Sequence, residues 1–455
     1  MRREGRPKRS ALSHGDEPKM SDVATRTTFD ELALASLPEV AGFTGQLRKE
    51  AFDAFTSLPM PSQSTEEWRY TDLSRFELDH VPFTGGGGPE DVSRHGVLAA
   101  AGRGERAGLQ IQLNSQVIST QRAAGLVDEG VWFGDLDEAA AEHPDLIERY
   151  LHDLVPLDRT RFTAMHAAFR TGGTFLHVPR DTKVDLPLQT LTYVDADGAA
   201  VFPHTLIVVE AGAEVTFIER YASPELRRAF SNAVTEIHVG DGAHVRYAGI
   251  QDWGEGFTHL GIQRVRVGRD AEFRTLSVGF GADLARTETE VLLAEPGGFS
   301  EQLGVFFADG SQHFDHRSIQ DHVASNCTSD LLYKGALRDE SRAVYSGWVY
   351  VRPGAQKTDA MQTSRNIVLS EHAKADAIPN LEIEANDVKC GHAASVGPVD
   401  EETVFYLQSR GIPADEAERL IVSGFFQEVL DRVQIQEVRE GAEAAIDAEL
   451  DRGVR

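Results

Sequence analysis

The 455 residues predict a mainly β fold: a right-handed parallel β-helix (solenoid) core with helical regions at its N- and C-terminal ends. Three observations point there. Between residues 172 and 397, short runs such as FLHV, LQTLTYV, TLIVVE, EVTFIERY and HVRYAGI alternate with Gly, Asp and Pro turns, and nothing in that stretch reads as a long amphipathic helix. Within it, VEAGAEVTF, VGDGAHVRY and VGRDAEFRT superpose on Ala213, Ala243 and Ala271, and PGGF continues the series at Gly298, giving separations of 30, 28 and 27 residues. A sandwich would supply the same short strands without a fixed step, whereas a solenoid stacks each coil on the next and needs one. On either side the apolar period changes to that of helices.

Taken in order, residues 1–28 read as a disordered tail, since the first 19 carry six Lys or Arg against three acids and show no apolar period. Residues 29–171 read as a small, mostly helical region with a linker. Leu47, Ala51, Phe52, Phe55 and Leu58 fall at helical spacing before Pro59 and Pro61, and Ser64 with Glu67 fits a capping box opening STEEWRYTDL. The tetraglycine Gly85 to Gly88 is the linker, and EAAAEHPDLIERYLHDL is again helical. Residues 172–399 form the β-helix. In residues 400–455, Asp400 can cap EETVFYLQSRG, Gly411 ends that helix, and Pro413 precedes another whose stripe is Ala417, Leu420, Ile421, Phe425 and Val429. That stripe suits docking on the β domain or binding a partner.

Composition narrows the function. With 41% hydrophobic and 26% charged residues and no apolar run near the roughly 20 needed to cross a bilayer, the expectation is a cytoplasmic protein with no membrane contact. A formal net charge of −27 opposes nucleic acid. Two cysteines, Cys327 and Cys390, make no disulfide framework.

No G-x-x-x-x-G-K-[ST], G-x-S-x-G, H-E-x-x-H or C-x-x-C occurs, so no nucleotide is expected to bind directly and the common catalytic signatures are missing. His313, His316 and His322 lie within ten residues and could ligate one metal, although ordinary hydrogen bonding is the commoner fate of each. Cys327 reads as a small buried residue. Cys390 and His392, in KCGH, are soft to borderline ligands that would share a face if they lie on one strand, but two ligands do not complete a site. The remainder would have to come from elsewhere, as suits an ion or cluster that must later leave.

The stretch PNLEIEANDVKCGHAASVGPVDEETVFYLQSRGI, with EEWRYTDL, KGAL and GAQKTDAMQTSRNIVLS, resembles the SufB/SufD family of iron–sulfur cluster assembly scaffolds over about residues 29–433. Asp387-Val388-Lys389-Cys390-x-His392 matches the SufD branch, while Gly391 and Ala393 depart from its usual Ser or Thr and Gly. The resemblance implies a non-catalytic scaffold that pairs with SufB through the β-helix and binds the ATPase SufC through its C-terminal helices, for which Phe405, Arg410, Phe425 and Phe426 are candidates. It implies that His392, with Cys390 beside it, helps hold a transient iron–sulfur cluster shared with SufB. A homodimer could form when SufB is missing. The alternative is a cytosolic β-helix enzyme of polysaccharide-lyase type.

Overall fold

The computed structural model describes residues 29–40, 42–73, 80–82, 97–102 and 104–452. The basic tail of residues 1–28 and the tetraglycine lie outside them.

Two sheets face each other across the core, and the chain alternates between them. Thr174–Val178, His204–Val209, Ala229–Val239, Phe257–Val267, Leu284–Leu293, His313–His322, Arg342–Val351 and Lys374–Ile383 stack in the first. Leu188–Tyr193, Glu214–Ala222, His244–Asp252, Glu272–Gly279, Phe299–Ala308, Thr328–Leu337, Asp359–Val368 and Lys389–Pro398 stack in the second. Each of these strands runs parallel to its neighbours in that stack, so the core is a β-solenoid.

The repeat seen in the sequence is the turn between the sheets. Ala213, Ala243, Ala271 and Gly298 stack, and the column goes on to Cys327: the carbonyl of each accepts from the amide that opens the next strand below, at 2.8 to 3.0 Å. The residue at the tip of each turn is left-handed: Gly212, Gly242, Asp270, Gly297, Asn326 and Lys357 have φ between 51° and 80°. Gly, Asn and Asp tolerate that conformation best, which is why these turns are rich in them. Cys327 is therefore the small residue its column demands. It is fully buried, burial pushes its thiol pKa up, and its Sγ lies 3.4 Å from the Glu295 carbonyl.

The N-terminal region holds more strand than its pattern predicts. The helix Gly42–Ser57 forms as expected. Gly108–Leu113 and Gln116–Arg122, however, make a hairpin that extends the second sheet, and Trp132–Asp135 adds antiparallel to Thr174–Val178 at the end of the first. These strands cover the solenoid's N-terminal edges, and that requirement outweighs local propensity. STEEWRYTDL is likewise not a capped helix: its tryptophan lies in the short 3-10 turn Glu66–Trp68, and the Ser62 hydroxyl takes the Ser64 side chain. Its aromatic anchors the segment instead, with Trp68 buried against Phe162 under the Arg286 guanidinium.

At the other end, helices Glu401–Ser409, Ala414–Leu430 and Gln436–Arg452 follow the last coil, and Asp400 caps the first of them through the Glu402 amide. The buried residues of the middle helix are Ala417, Val422, Phe426, Val429 and Leu430, and the last four share one cluster with Ile218, Leu276, Leu303 and Leu332 of the second sheet. Leu420, placed in the stripe by spacing alone, is 46% exposed. Lys334 fixes the docking: its ammonium donates to the Phe425 carbonyl at 2.6 Å and pairs with Glu428 at 2.5 Å, while Arg432 pairs with Glu301 at 2.6 Å. Among the described residues, no helix is long and apolar enough to cross a membrane.

Phe426→Ala is expected to lose about 3–5 kcal/mol in chemical denaturation, whereas Phe405→Ala, on a side chain 72% exposed, should change stability by less than about 0.5 kcal/mol.

Candidate functional site

The strand Lys389–Pro398 brings Cys390 and His392 together. Cys390 lies opposite Ala360 and His392 opposite Gln362, both buried, so the two side chains stand on the inward face of the last coil, two residues apart. Among the described residues no further strand pairs beyond Lys389–Pro398, nor beyond Lys374–Ile383 in the other sheet. The interior column therefore ends in the open. Cys390 is half-buried against Val349, Val351, Ala355 and Ala360, while His392 is exposed.

This placement sets the chemistry. Burial, and to a smaller extent Asp359, pushes the Cys390 thiol pKa up, so it stays protonated until a soft metal ion displaces the proton. The exposed imidazole beside it offers a borderline nitrogen. Two such ligands on a rigid edge strand can hold one corner of a metal centre, and the remaining positions face outward.

The other candidates separate. His313 lies on the outward side of its strand near Thr71, whereas His316 and His322 point inward and lie six residues apart, roughly 20 Å along a strand. His316 bonds Thr287 at 2.9 Å and His322 bonds Ser329 at 2.8 Å. The three share no metal site; strand alternation and length keep them apart. In the C-terminal helices, Phe426 is fully buried and Phe425 packs beside it under Lys334, so both belong to the docking of the helix on the sheet. Phe405 and Tyr406 remain exposed with Leu420, and the Arg410 guanidinium lies over the Tyr406 ring at 5.0 Å.

Sequence reasoning missed one cluster. His152, His204 and Glu236 bring ligand atoms within 4.8 Å of one another where the N-terminal region meets the first sheet. Nothing local announces it, because the residues stand far apart in the chain.

Comparison with known proteins agrees with this architecture. Residues 192–425 match the family model described as SUF system FeS cluster assembly, SufBD core domain, and residues 38–190 match the SufBD protein N-terminal region. The iron–sulfur cluster assembly protein SufD of Bacillus subtilis is 31% identical over 94% of this chain and 99% of its own length. An iron–sulfur cluster assembly SufBD family protein of Mycobacterium tuberculosis is 37% identical over 65% of this chain and 75% of its own. A solenoid of this kind, matched along nearly its whole length, identifies the chain as a member of the SufBD family of iron–sulfur cluster assembly proteins.

Proposed function

We propose that this chain is a SufD-type scaffold subunit that lends His392, with Cys390 beside it, to a nascent iron–sulfur cluster completed by a SufB-type partner at the solenoid's open end. The observation that carries the reading is the ending of the inward column, at an unpaired edge, in a thiol and an imidazole. Cluster is cargo here, and a mixed, incomplete ligand set lets it leave as readily as it forms.

The open edges also suggest how a partner attaches. Lys374–Ile383 and Lys389–Pro398 are ten residues each and present unpaired amides and carbonyls, with Ile383 and Val396 more than two-fifths exposed. A second solenoid can add its own strands there and satisfy the backbone of both, so SufB would pair through this end, and a homodimer would form by the same edges when SufB is missing. Phe405, Tyr406 and Leu420, with Arg410, form the exposed face for the ATPase SufC, which would supply the nucleotide hydrolysis for which this chain has no P-loop. On this reading the chain is a non-catalytic, cytoplasmic scaffold, and membership of an assembly family leaves the polysaccharide-lyase alternative without support.

Three measurements test this. In anaerobically purified complex, His392→Ala should leave assembly intact and remove iron and acid-labile sulfide; unchanged cluster content would make His392 a structural residue. Val396→Lys should block pairing with the SufB-type partner in size-exclusion chromatography while leaving the isolated chain's stability within about 0.5 kcal/mol. Phe405→Ala with Tyr406→Ala should weaken SufC binding by at least about tenfold, as loss of aromatic anchors does, without touching SufB pairing.

A further inference from the structure

The second cluster lies where the N-terminal region closes on the outer face of the first sheet. His204 opens the strand His204–Val209, and Glu236 lies on the adjacent strand, diagonal to it on the same face, since His204 pairs with Val234 and Glu236 with Leu206. His152 is delivered from above by the turn after the helix Pro144–Tyr150. Glu236 holds that turn: its Oε1 accepts from the Leu154 and Val155 amides at 2.8 and 2.9 Å, and its Oε2 accepts from the His152 amide at 2.8 Å. In return His152 is left-handed, with φ 63°, a conformation that costs a non-glycine residue about 1–2 kcal/mol and aims its ring at the carboxylate's neighbourhood.

Hydrogen bonding assigns the tautomers. His166 Nδ1 lies 2.8 Å from the Asn232 carbonyl, which can only accept, so that nitrogen carries the proton and His166 Nε2 is an acceptor. His204 Nδ1, 3.0 Å from His166 Nε2, must then donate. His152 Nδ1 likewise faces an acceptor, the Val155 carbonyl, at 3.3 Å. In neutral His152 and His204 both Nε2 atoms are left with bare lone pairs. His204 Nε2 lies fully buried 3.1 Å from Glu236 Oε2, yet makes no hydrogen bond. One ligand atom from each of His152, His204 and Glu236 thus converges within 4.8 Å of the others. Imidazoles whose far nitrogen donates to an acceptor, with the near one bare, are arranged as metal-ligating histidines are. The Arg170 guanidinium nearby is paired with Asp137 at 2.8 Å.

We propose that His152 Nε2, His204 Nε2 and Glu236 bind one divalent ion of the zinc class, which pins the N-terminal region to the solenoid. Two imidazoles and one carboxylate form a ligand set that zinc accepts, with a fourth position left for water. Binding exchanges the repulsion among the three groups for coordination. The site is separate from Cys390 and His392, on the opposite side of the sheet sandwich and many coils away in the chain, and it stands whether or not those residues hold a cluster.

The test uses untagged full-length chain, expressed in zinc-supplemented medium, dialysed and assayed for metal. The expected result is stoichiometric zinc, lost by more than about 100-fold in affinity in His152→Ala and in the near-isosteric Glu236→Gln, with far-UV circular dichroism unchanged. Cys390→Ser with His392→Ala should retain the zinc in full. Cobalt(II) in place of zinc should give visible bands without the thiolate charge-transfer absorption that a cysteine site would show. If the wild type is isolated metal-free and takes up neither zinc nor cobalt, the proposal falls, and the His204–Glu236 contact holds a proton instead. Equal zinc in His152→Ala, Glu236→Gln and wild type overturns it as well.

Discussion

Every coil of this protein is held by the one below it through a parallel hydrogen-bond ladder, and that constraint decides the fate of most side chains. A residue's column, more than its local sequence, determines whether it is packed, bonded or exposed. The column Ala213, Ala243, Ala271, Gly298, Cys327 shows the rule: three residue types, alike only in being small, fill one position because the turn leaves room for nothing larger. The left-handed tip before each of them shows the same rule on the backbone, and Lys357 there shows that the ladder overrides local preference when it must. A ladder also has ends. The N-terminal end is closed by the hairpin Gly108–Leu113 and Gln116–Arg122 and by Trp132–Asp135, and among the described residues nothing pairs with the C-terminal end.

This explains what was legible in the sequence. A column recurs in the chain at the coil length, so the solenoid, its turns and the extent of its strands could be read from spacing, and the Cys390 and His392 face followed once they shared a strand. Residues that close or decorate the ladder do not recur. The N-terminal hairpin looked unremarkable because its strands are dictated by the edge they cover, and STEEWRYTDL satisfies a capping rule on paper while its tryptophan is taken by Phe162 and Arg286. The middle C-terminal helix was recognisable as a helix and its face in part: Ala417 and Val429 are buried and Phe425 packs on the sheet as their spacing predicts, but Leu420 is exposed, and the sheet beneath takes Val422 and Phe426. Helical period fixes a set of possible faces, and the docking partner selects one.

The histidines make the same point in reverse. His313, His316 and His322 are close in sequence and therefore attracted attention, yet alternation sends one outward and strand length separates the other two. His152, His204 and Glu236 come from a turn and two strands, with separations that match neither a metal motif nor the coil step, and only the closing of the N-terminal region on the sheet assembles them. Metal ligands on one local motif can be found by spacing; ligands contributed across an interface between regions cannot.

Burial and ligand count then separate the two sites by what each can do with a metal. Cys390 and His392 lie at a solvent-facing edge with two donors, so a bound ion keeps open positions and a path out. His204 and Glu236 are fully buried and His152 half-buried, their orienting partners Val155, His166 and Asn232 are themselves held, and Glu236 is bonded by three amides of the turn that carries His152. Removing an ion from the second site would leave a carboxylate and two bare lone pairs facing one another in a low dielectric, a cost that an exposed edge does not incur because water takes the ion's place. On the readings proposed above, slow exchange at the buried site and fast exchange at the open one would follow from that difference alone, so an ion held at the waist would not be confused with a cluster passing the tip.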